Sequence, residues 1–210
     1  MVSAVIFDWD GTLVDSLEVH LRSWKKAFTE LGIEVKLEEI VARFGKPTED
    51  ILSEALPPRL HGKIPELIAM KRKYYLEDLA SLKLYPSVEN VLKKLKERSV
   101  PIALASSMSR KSLYSSLRAM GIEEYFDVIV TVEDVTECKP NPEMLLKAAE
   151  KLRVKPENCL MVGDSVFDVL AAERANMPIV VVANNPYQIA QIREMGVKIV
   201  EGITEILGLI

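Results

Sequence analysis

The chain has 210 residues, of which 49% are hydrophobic and 28% are charged, and its formal net charge at pH 7 is −4. This composition is typical of a soluble globular protein with one large core, or one core beside a smaller inserted domain. The negative charge argues against a nucleic-acid partner, because affinity for phosphate backbones depends on clustered Lys and Arg. No apolar run approaches the roughly 18 residues that cross a bilayer, and the N-terminal segment has no basic start typical of a signal peptide. We therefore expect a cytoplasmic protein that binds neither membranes nor nucleic acids.

Short apolar runs recur along the chain and predict buried strands. These runs are Val2–Phe7, Val100–Ala105, Phe126–Val130, Cys159–Val162 and Ile179–Val182. Segments with helical periodicity lie between them, namely Val88–Arg98, Leu113–Met120, Pro142–Leu152 and Val166–Ala175. Strands that alternate with helices in this way indicate a doubly wound, Rossmann-like α/β fold, in which helices cover both faces of a parallel sheet.

One long segment interrupts this alternation directly after the first predicted strand. Residues 16–80 contain no convincing buried strand and are typical of helices at Leu17–Leu31, Leu37–Phe44, Thr48–Leu56 and Pro65–Leu79. We predict that residues 16–81 form an all-α cap domain, inserted into a core domain made of residues 1–15 and 82–210. The cap is expected over the carboxyl ends of the strands, where open α/β folds bind their ligands.

The first predicted strand ends in two closely spaced carboxylates. Asp8 and Asp10 would point to the same side of an extended segment, and Gly11 permits a sharp exit from it. Two such carboxylates repel each other unless a cation lies between them or one is protonated. Their oxygens suit Mg²⁺, which binds one or two carboxylates together with phosphate oxygens and waters. For this motif alone, an acidic strand-to-loop turn without a metal is the alternative.

Further polar side chains follow three other predicted strands. Ser106 and Ser107 would bind phosphoryl oxygens, although a serine after a strand is most often part of a turn or a helix cap. Lys139, beside a proline, would neutralise charge on a transferred phosphoryl group, or is simply an unpaired surface lysine. Asp164 is a candidate third metal ligand, and Asp168, one helical turn later, would hold the lysine or a metal-bound water. Since all these motifs end predicted parallel strands, they favour one shared site.

The motifs also occur in the order and spacing of a known family. FDWDGTLVDS at 7–16, LASS at 104–107, KP at 139–140 and GDSVFD at 163–168 resemble the haloacid-dehalogenase superfamily of phosphohydrolases, with a helical cap after the first strand. The resemblance covers essentially the whole chain. Within the superfamily, the sequence is most similar to the branch that contains phosphoglycolate phosphatases and β-phosphoglucomutases.

The resemblance implies a role for each core residue. Asp8 would attack phosphorus and form an aspartyl-phosphate, while Mg²⁺ and Lys139 stabilise the phosphoryl oxygens. Asp10 would protonate the departing alcohol and then accept a proton from the hydrolytic water. The carboxylates of Asp8 and Asp164 and the backbone carbonyl of Asp10 would bind the metal, and Ser106 would orient the phosphoryl group. Dehalogenation is disfavoured, because dehalogenating members need neither the second acid nor the metal.

Substrate choice is expected to depend on cap residues. His20 lies on the first cap helix, where a similarly placed histidine assists the mutase branch; a histidine without a chemical role is the alternative. Lys46 lies in a loop, 44–48, that resembles the specificity loop of the family, although Thr48 or Lys46 stands in place of the mutase arginine. The basic run Lys71–Lys73 either reaches a second anionic group of the substrate or forms a solvated face.

The sequence therefore predicts a Mg²⁺-dependent phosphatase that acts on a small, soluble, phosphorylated metabolite. A mutase similar to β-phosphoglucomutase, which would return the phosphoryl group to another hydroxyl, is the first alternative. A non-catalytic binding protein on the same fold is the second. The physiological substrate stays open among phosphoglycolate, a sugar phosphate, pyrophosphate and a nucleotide, and the oligomeric state is open as well.

Overall fold

Six parallel strands form the central sheet of the computed structural model, which describes residues 2–210. In chain order the strands are β1 (Ala4–Phe7), β2 (Val14–Asp15), β3 (Lys83–Leu84), β4 (Ile102–Ala105), β5 (Val128–Val130), β6 (Cys159–Gly163), β7 (Ile179–Val182) and β8 (Lys198–Val200). The sheet has the order β5-β4-β1-β6-β7-β8, and β2 pairs with β3 in a separate antiparallel ribbon. Because β1 and β6 are the two central strands, their ends lie in the middle of the sheet edge.

The described residues also form nine α-helices. They are α1 (Leu17–Glu30), α2 (Leu37–Val41), α3 (Thr48–Ala55), α4 (Ile64–Glu77), α5 (Val88–Glu97), α6 (Arg110–Met120), α7 (Glu143–Leu152), α8 (Val166–Arg174) and α9 (Ile189–Glu194). Short 3₁₀ segments connect several of them, including Pro58–Lys63 before α4 and Ile203–Gly208 at the end of the chain. None of the helices within residues 2–210 is long and apolar enough to cross a membrane.

Helices cover both faces of the sheet because strand side chains alternate in direction. Val5 and Phe7 are buried in one apolar cluster with residues of α5 and α6. Ala4 and Ile6, the intervening residues of β1, belong to a second cluster with residues of α7 and α8. The predicted doubly wound α/β fold with a parallel sheet is therefore confirmed.

Local sequence signals begin and end several of these helices. Ser109 caps α6 and Ser165 caps α8, each side-chain oxygen accepting a hydrogen bond from a backbone N–H of the first turn. At the other end, Gly32, Gly121 and Asn176 follow α1, α6 and α8 with φ values of +62°, +68° and +53°. These residues tolerate the left-handed conformation that ends a helix, as their positions in the sequence predicted.

Helices α1 to α4 lie between β2 and β3 and have an apolar core of their own. Its buried members include Trp24, Phe28, Ile40, Leu52 and Leu67, all within the inserted segment. No strand of the described residues falls between β2 and β3, in agreement with the helical pattern of the sequence. The division into a cap of residues 16–81 and a core of the remaining residues stays a prediction.

The sequence reading missed the shortest elements and misplaced some ends. The strands β2, β3 and β8 were not predicted, since two or three residues are too few to show a period. The helix predicted over Leu37–Phe44 ends at Val41. The residues that follow form a loop in which Phe44 and Lys46 are paired by an isolated β-bridge. The helix predicted from Leu113 begins at Arg110, directly after its cap.

The buried face of α5 gives a stability prediction. Replacing Leu92, which is fully buried, with alanine is expected to lower the free energy of unfolding by about 2–5 kcal/mol, through lost burial and a residual cavity. Leu146→Ala on α7 is the matched control, because this leucine is 39% exposed and its loss is expected to change stability by about 0.5 kcal/mol. Urea titration measures both values; equal losses would contradict the burial assigned to Leu92.

Candidate active site

The carboxyl ends of three neighbouring strands meet at one edge of the sheet. In the parallel register, Phe7 of β1 lies opposite Leu104 of β4 and Val162 of β6. Because the strands are aligned in this way, the residues that follow them leave the sheet side by side. Asp8, Ser106 and Asp164 are therefore brought together, and each of them is at least 95% buried within the chain.

Lys139 reaches this edge from the loop after β5 and is fully engaged by the core. Its Nζ donates to Asp8 Oδ1 at 2.7 Å, to Asp168 Oδ1 at 2.7 Å and to the backbone carbonyl of Ala105 at 3.2 Å. The lysine is 1% exposed, so these three acceptors replace its hydration shell. The alternative of an unpaired surface lysine is wrong, because the ammonium is buried between two carboxylates.

Asp168 uses both of its carboxylate oxygens within the protein. While Oδ1 accepts from Lys139, Oδ2 accepts from the Ser165 hydroxyl at 2.6 Å and from the backbone N–H groups of Ser165 and Asp164 at 3.1 and 3.3 Å. Gly163 makes room for this carboxylate, since an added Cβ would lie 2.6 Å from Asp168 Cβ. Asp168 thus fixes both the lysine and the loop that carries Asp164.

Three carboxylates come close enough to hold a metal ion. One oxygen each of Asp8, Asp164 and Asp168 lies within 4.8 Å of the other two. Since the oxygens of Asp168 are already engaged, Asp8 and Asp164 are the members with free ligand capacity. Thr12 orients the second of them by donating to Asp164 Oδ1 at 3.1 Å. Gly11, at φ +76°, lets the chain pass so closely that an added Cβ would lie 2.2 Å from Asp164 Oδ2.

The electrostatics of the cluster favour an added positive charge. Burial raises the pKa of Asp8 to about 7, in spite of the Lys139 ammonium beside it. Burial, with the nearby Asp8 and Asp168 carboxylates, also raises the pKa of Asp164 well above its usual range. Burial alone would lower the pKa of Lys139, but the two flanking carboxylates raise it. Three acids therefore share one ammonium, so the ionised form of all three is unfavourable unless a further positive charge, such as a divalent cation, compensates it.

Asp10 is paired with His20 across the boundary between core and inserted helices. His20 Nε2 and Asp10 Oδ1 are 2.8 Å apart, and the imidazole stacks on the Tyr75 ring at 4.9 Å. Burial lowers the pKa of His20, although the Asp10 carboxylate beside it acts in the opposite direction. Burial works against the charge of Asp10, yet hydrogen bonds from His20 and Ser16 bring its pKa below the usual value. Asp10 is thus held as a proton acceptor.

A cavity of about 430 Å³ opens above these residues. Its floor includes Asp8, Asp10, Ser106 and Asp164, and its roof comes from helices α1 and α4 and the loop 44–48. The volume lies in the range of pockets that enclose small molecules. The arrangement can therefore hold a small ligand between the carboxylates of the core and the side chains of the inserted helices.

Two core side chains fasten the loop 42–48 of the inserted segment to the core. Ser107 Oγ donates to the carbonyl of Gly45 at 2.7 Å. Gln188, buried after β7, donates from Nε2 to the carbonyls of Phe44 and Ala42 at 3.0 and 3.4 Å. Its Oε1 accepts from the Val166 N–H at 2.8 Å, at the start of α8. One amide side chain therefore connects this loop with the segment that carries Asp164.

The predicted site residues differ in what they can offer a ligand. Ser106 and His20 line the cavity, and Ser106 Oγ accepts a hydrogen bond from the Met108 N–H at 3.2 Å. Ser107 and Lys46 also line it, but the Ser107 hydroxyl is engaged by the loop and Lys46 Nζ lies 2.6 Å from Glu54 Oε1. Their roles in substrate binding stay predictions.

Sequence reasoning missed two residues of this region. Thr12, which orients Asp164, lies within the first motif, two residues after Asp10. This short separation in the sequence was the only signal that could have indicated its role. Gln188 carried no signal, because a polar residue in a loop before a short helix is most often exposed.

The chain thus combines a doubly wound parallel sheet with a lysine that is buried between carboxylates at the carboxyl edge of that sheet. Residues 5–182 match the family described as haloacid dehalogenase-like hydrolase, and the chain belongs to this family.

Similar proteins agree with this assignment. PpaX of Clostridium perfringens (strain 13 / Type A) is 37% identical over 177 residues, which are 83% of this chain and 81% of the relative. Pyrophosphatase PpaX of Oceanobacillus iheyensis is 30% identical over 183 residues, 87% of this chain and 84% of the relative. Among solved structures, β-phosphoglucomutase of Clostridium difficile is 25% identical with a TM-score of 0.83, covering 98% of this chain and 93% of its own. The predicted family and the predicted class of enzyme, a phosphatase-type hydrolase, are confirmed.

The contacts of Gln188 give a prediction about the mobility of the loop 42–48. Gln188→Leu removes two hydrogen bonds to the loop, each worth about 1 kcal/mol. Backbone amides of residues 42–48 are therefore expected to exchange hydrogen for deuterium roughly five- to thirtyfold faster. Gln191→Leu is the matched control, because Gln191 is exposed on α9 and its replacement is expected to leave the exchange unchanged. Mass spectrometry of the corresponding peptide decides the matter, and equal exchange in both variants would remove Gln188 from this role.

Proposed function

We propose that this chain is a Mg²⁺-dependent phosphatase that hydrolyses small, soluble phosphomonoesters through an aspartyl-phosphate on Asp8. The observation that carries the proposal is the setting of Asp8, a carboxylate on the floor of the cavity with Lys139 and Asp164 beside it. The pyrophosphatase name of the relatives supports a substrate with a phosphoryl group. Every position to which the family resemblance assigned a chemical role lies at this cavity or directly beneath it, which favours an enzyme over a silent binding protein.

The residues fit a bound Mg²⁺. Asp8 and Asp164 offer hard carboxylate oxygens, and the excess negative charge of the cluster is of the kind that a divalent cation compensates. With the backbone carbonyl of Asp10, they would hold the ion. When bound, Mg²⁺ supplies positive charge to the phosphoryl oxygens. Asp168 would stay in its present role and hold Lys139.

In the first step, an oxygen of Asp8 attacks phosphorus and the bond from phosphorus to the leaving oxygen breaks. Lys139 donates to the other Asp8 oxygen and supplies positive charge next to the forming acyl phosphate. Asp10 gives a proton to the departing alcohol, and the negative charge of the bound phosphoryl group would raise its pKa from the lowered value, so that it takes up this proton with the substrate. Ser106 orients the phosphoryl group from the end of β4.

In the second step, a water molecule attacks phosphorus of the aspartyl-phosphate, the bond between phosphorus and the Asp8 oxygen breaks, and inorganic phosphate leaves the restored Asp8 carboxylate. Asp10, in its ionised form, accepts the proton of the attacking water. His20 Nε2, which lies 2.8 Å from Asp10 Oδ1, stabilises this ionised form. His20 therefore acts on the reaction through Asp10 and sets its protonation between the two steps.

A phosphosugar mutase is the second candidate. The likeness to β-phosphoglucomutase of Clostridium difficile and the pairing of His20 with Asp10 favour it, because a mutase needs the same acid to serve two hydroxyls in turn. One comparison separates the two activities. A phosphatase releases inorganic phosphate from several phosphorylated metabolites, whereas a mutase converts β-glucose 1-phosphate to glucose 6-phosphate with little release.

The nucleophile is tested by Asp8→Asn, which preserves shape and removes the attacking charge. Hydrolysis of p-nitrophenyl phosphate in the presence of Mg²⁺ is expected to fall by about a thousandfold or more, and chelation by EDTA to abolish the activity of the wild type. Asp50→Asn, on the exposed surface of α3, is the control and is expected to keep its activity within about twofold. Retained activity in Asp8→Asn would falsify the mechanism, and a wild type without activity would favour the binding protein.

The close approach of Gly11 gives a test of the metal site. Gly11→Ala and Gly32→Ala both place alanine at a positive φ, so each is expected to lose about 1 kcal/mol of stability. Only at Gly11 does the added Cβ meet Asp164, whereas nothing lies within 4 Å at Gly32. Gly11→Ala is therefore expected to need at least about tenfold more Mg²⁺ for half-maximal activity. Mg²⁺ titration of the phosphatase rate measures this, and equal requirements in the two variants would exclude Asp164 as a ligand.

A further inference from the structure

Tyr75 lies in the last turn of α4 and is fully buried. Although it belongs to the inserted segment, its ring packs in an apolar cluster of the core, together with Phe7 of β1 and Val19 of α1. Its neighbour on the helix, Tyr74, packs in the separate apolar cluster of the inserted helices, as Trp24 does. Tyr75 is therefore a point at which α4 is joined to the core.

The Tyr75 hydroxyl is anchored to the core helix α6. It lies 2.9 Å from Ser116 Oγ, and Ser116 Oγ donates its own hydrogen to the carbonyl of Ser112 at 2.9 Å. Since the serine hydrogen is used in this way, Ser116 Oγ is the acceptor of the first bond and the phenol is its donor. Burial raises the pKa of Tyr75, so the phenol keeps the hydrogen that the bond needs.

The Tyr75 ring also forms a wall against which the His20 imidazole rests. The two rings are stacked, with 18° between their planes and 4.9 Å between their centres. The Phe44 ring meets the imidazole edge-on, at 71° and 5.6 Å. Two aromatic rings therefore restrict the imidazole to the orientation in which Nε2 lies 2.8 Å from Asp10 Oδ1.

We propose that Tyr75 is a positioning residue for proton transfer at Asp10, because its ring fixes the His20 imidazole and its hydroxyl fixes that ring to α6. The proposal rests on the proposed function, in which Asp10 protonates the departing alcohol. Tyr75 is not among the described residues that line the cavity, so it acts through His20 and touches neither the substrate nor the reacting atoms. A carboxylate is oriented by a hydrogen bond only if its partner is itself held in place.

A role in core packing alone is the competing explanation. Loss of packing would reduce the amount of correctly folded enzyme and would lower the rate for every substrate alike. Loss of positioning would lower the rate only where the leaving group needs the proton of Asp10. The two explanations therefore predict different dependences on the leaving group.

The first test compares Tyr75→Leu with Tyr74→Leu on two substrates. 2-Hydroxyethyl phosphate releases an alcohol that needs a proton, whereas p-nitrophenyl phosphate releases a stabilised phenolate that does not. Tyr75→Leu is expected to lower kcat/KM for 2-hydroxyethyl phosphate by on the order of tenfold more than for p-nitrophenyl phosphate. Tyr74→Leu is the matched control and is expected to keep the wild-type ratio, because the Tyr74 hydroxyl is bonded to Glu30. An equal loss for both substrates in Tyr75→Leu would overturn the proposal.

Two milder variants keep the test valid if Tyr75→Leu does not fold. Tyr75→Phe and Ser116→Ala each remove the bond between α4 and α6 and preserve the ring on which His20 rests. Each is expected to shift the same substrate ratio by about two- to tenfold. The double variant is expected to lose no more than either single variant, because both changes remove one interaction. Additive losses, or an unchanged ratio in all three variants, would contradict the proposed anchor.

NMR relaxation of the histidine rings tests the positioning without turnover. The chain has two histidines, His20 and His61, so the second ring is an internal control. In Tyr75→Leu the His20 ring is expected to become more mobile, while the His61 ring, bonded to the Leu56 carbonyl, is expected to stay unchanged. Unchanged mobility of His20 would remove Tyr75 from this role. A wild type that hydrolyses neither substrate, although His20 is loosened in Tyr75→Leu, would refute the proposed function and support the positioning of His20.

Discussion

The ammonium of Lys139 between the carboxylates of Asp8 and Asp168 is the interaction on which the site depends. Three buried acids would repel each other, and a lysine without partners would not stay charged in this interior. The positive charge of the lysine offsets the repulsion between the carboxylates, and the carboxylates keep the lysine charged. The third acceptor, the carbonyl of Ala105, ties the lysine to β4. Because Asp168 also binds the amides of the loop after β6, the position of Asp164 depends on the same ion pair.

The core and the inserted helices contribute different properties to the cavity. The core supplies acids that follow aligned strand ends and a lysine whose Nζ is held by three acceptors. The inserted helices supply His20, which is paired with Asp10, and the roof of the cavity. The chemistry is thus determined by the sheet, and the shape and charge offered to the rest of a ligand are determined by α1, α4 and the loop 42–48.

The sequence was sufficient for the parts of the molecule in which several signals coincide. Buried apolar runs, helix caps and acids at strand ends together predicted the sheet and brought Asp8, Lys139 and Asp164 to one edge. It was insufficient where a contact joins segments far apart in the chain. The hydrogen bonds of Gln188, which is 144 residues from Phe44, depend on side-chain placement, which no periodicity records.

The ribbon of β2 and β3 has a consequence for how such a protein can change. Val14 pairs with Leu84 and Asp15 with Lys83, so the chain leaves the core and re-enters it at adjacent points. The whole insertion is therefore attached to the core at two adjacent points of the chain, although Val19 and Tyr75 also pack in the apolar cluster that contains β1. Replacement of that insertion by another that packs against the same core surface would leave Asp8, Lys139 and Asp164 in place. Related proteins can therefore differ in the compounds they bind while they keep the same groups at the strand ends.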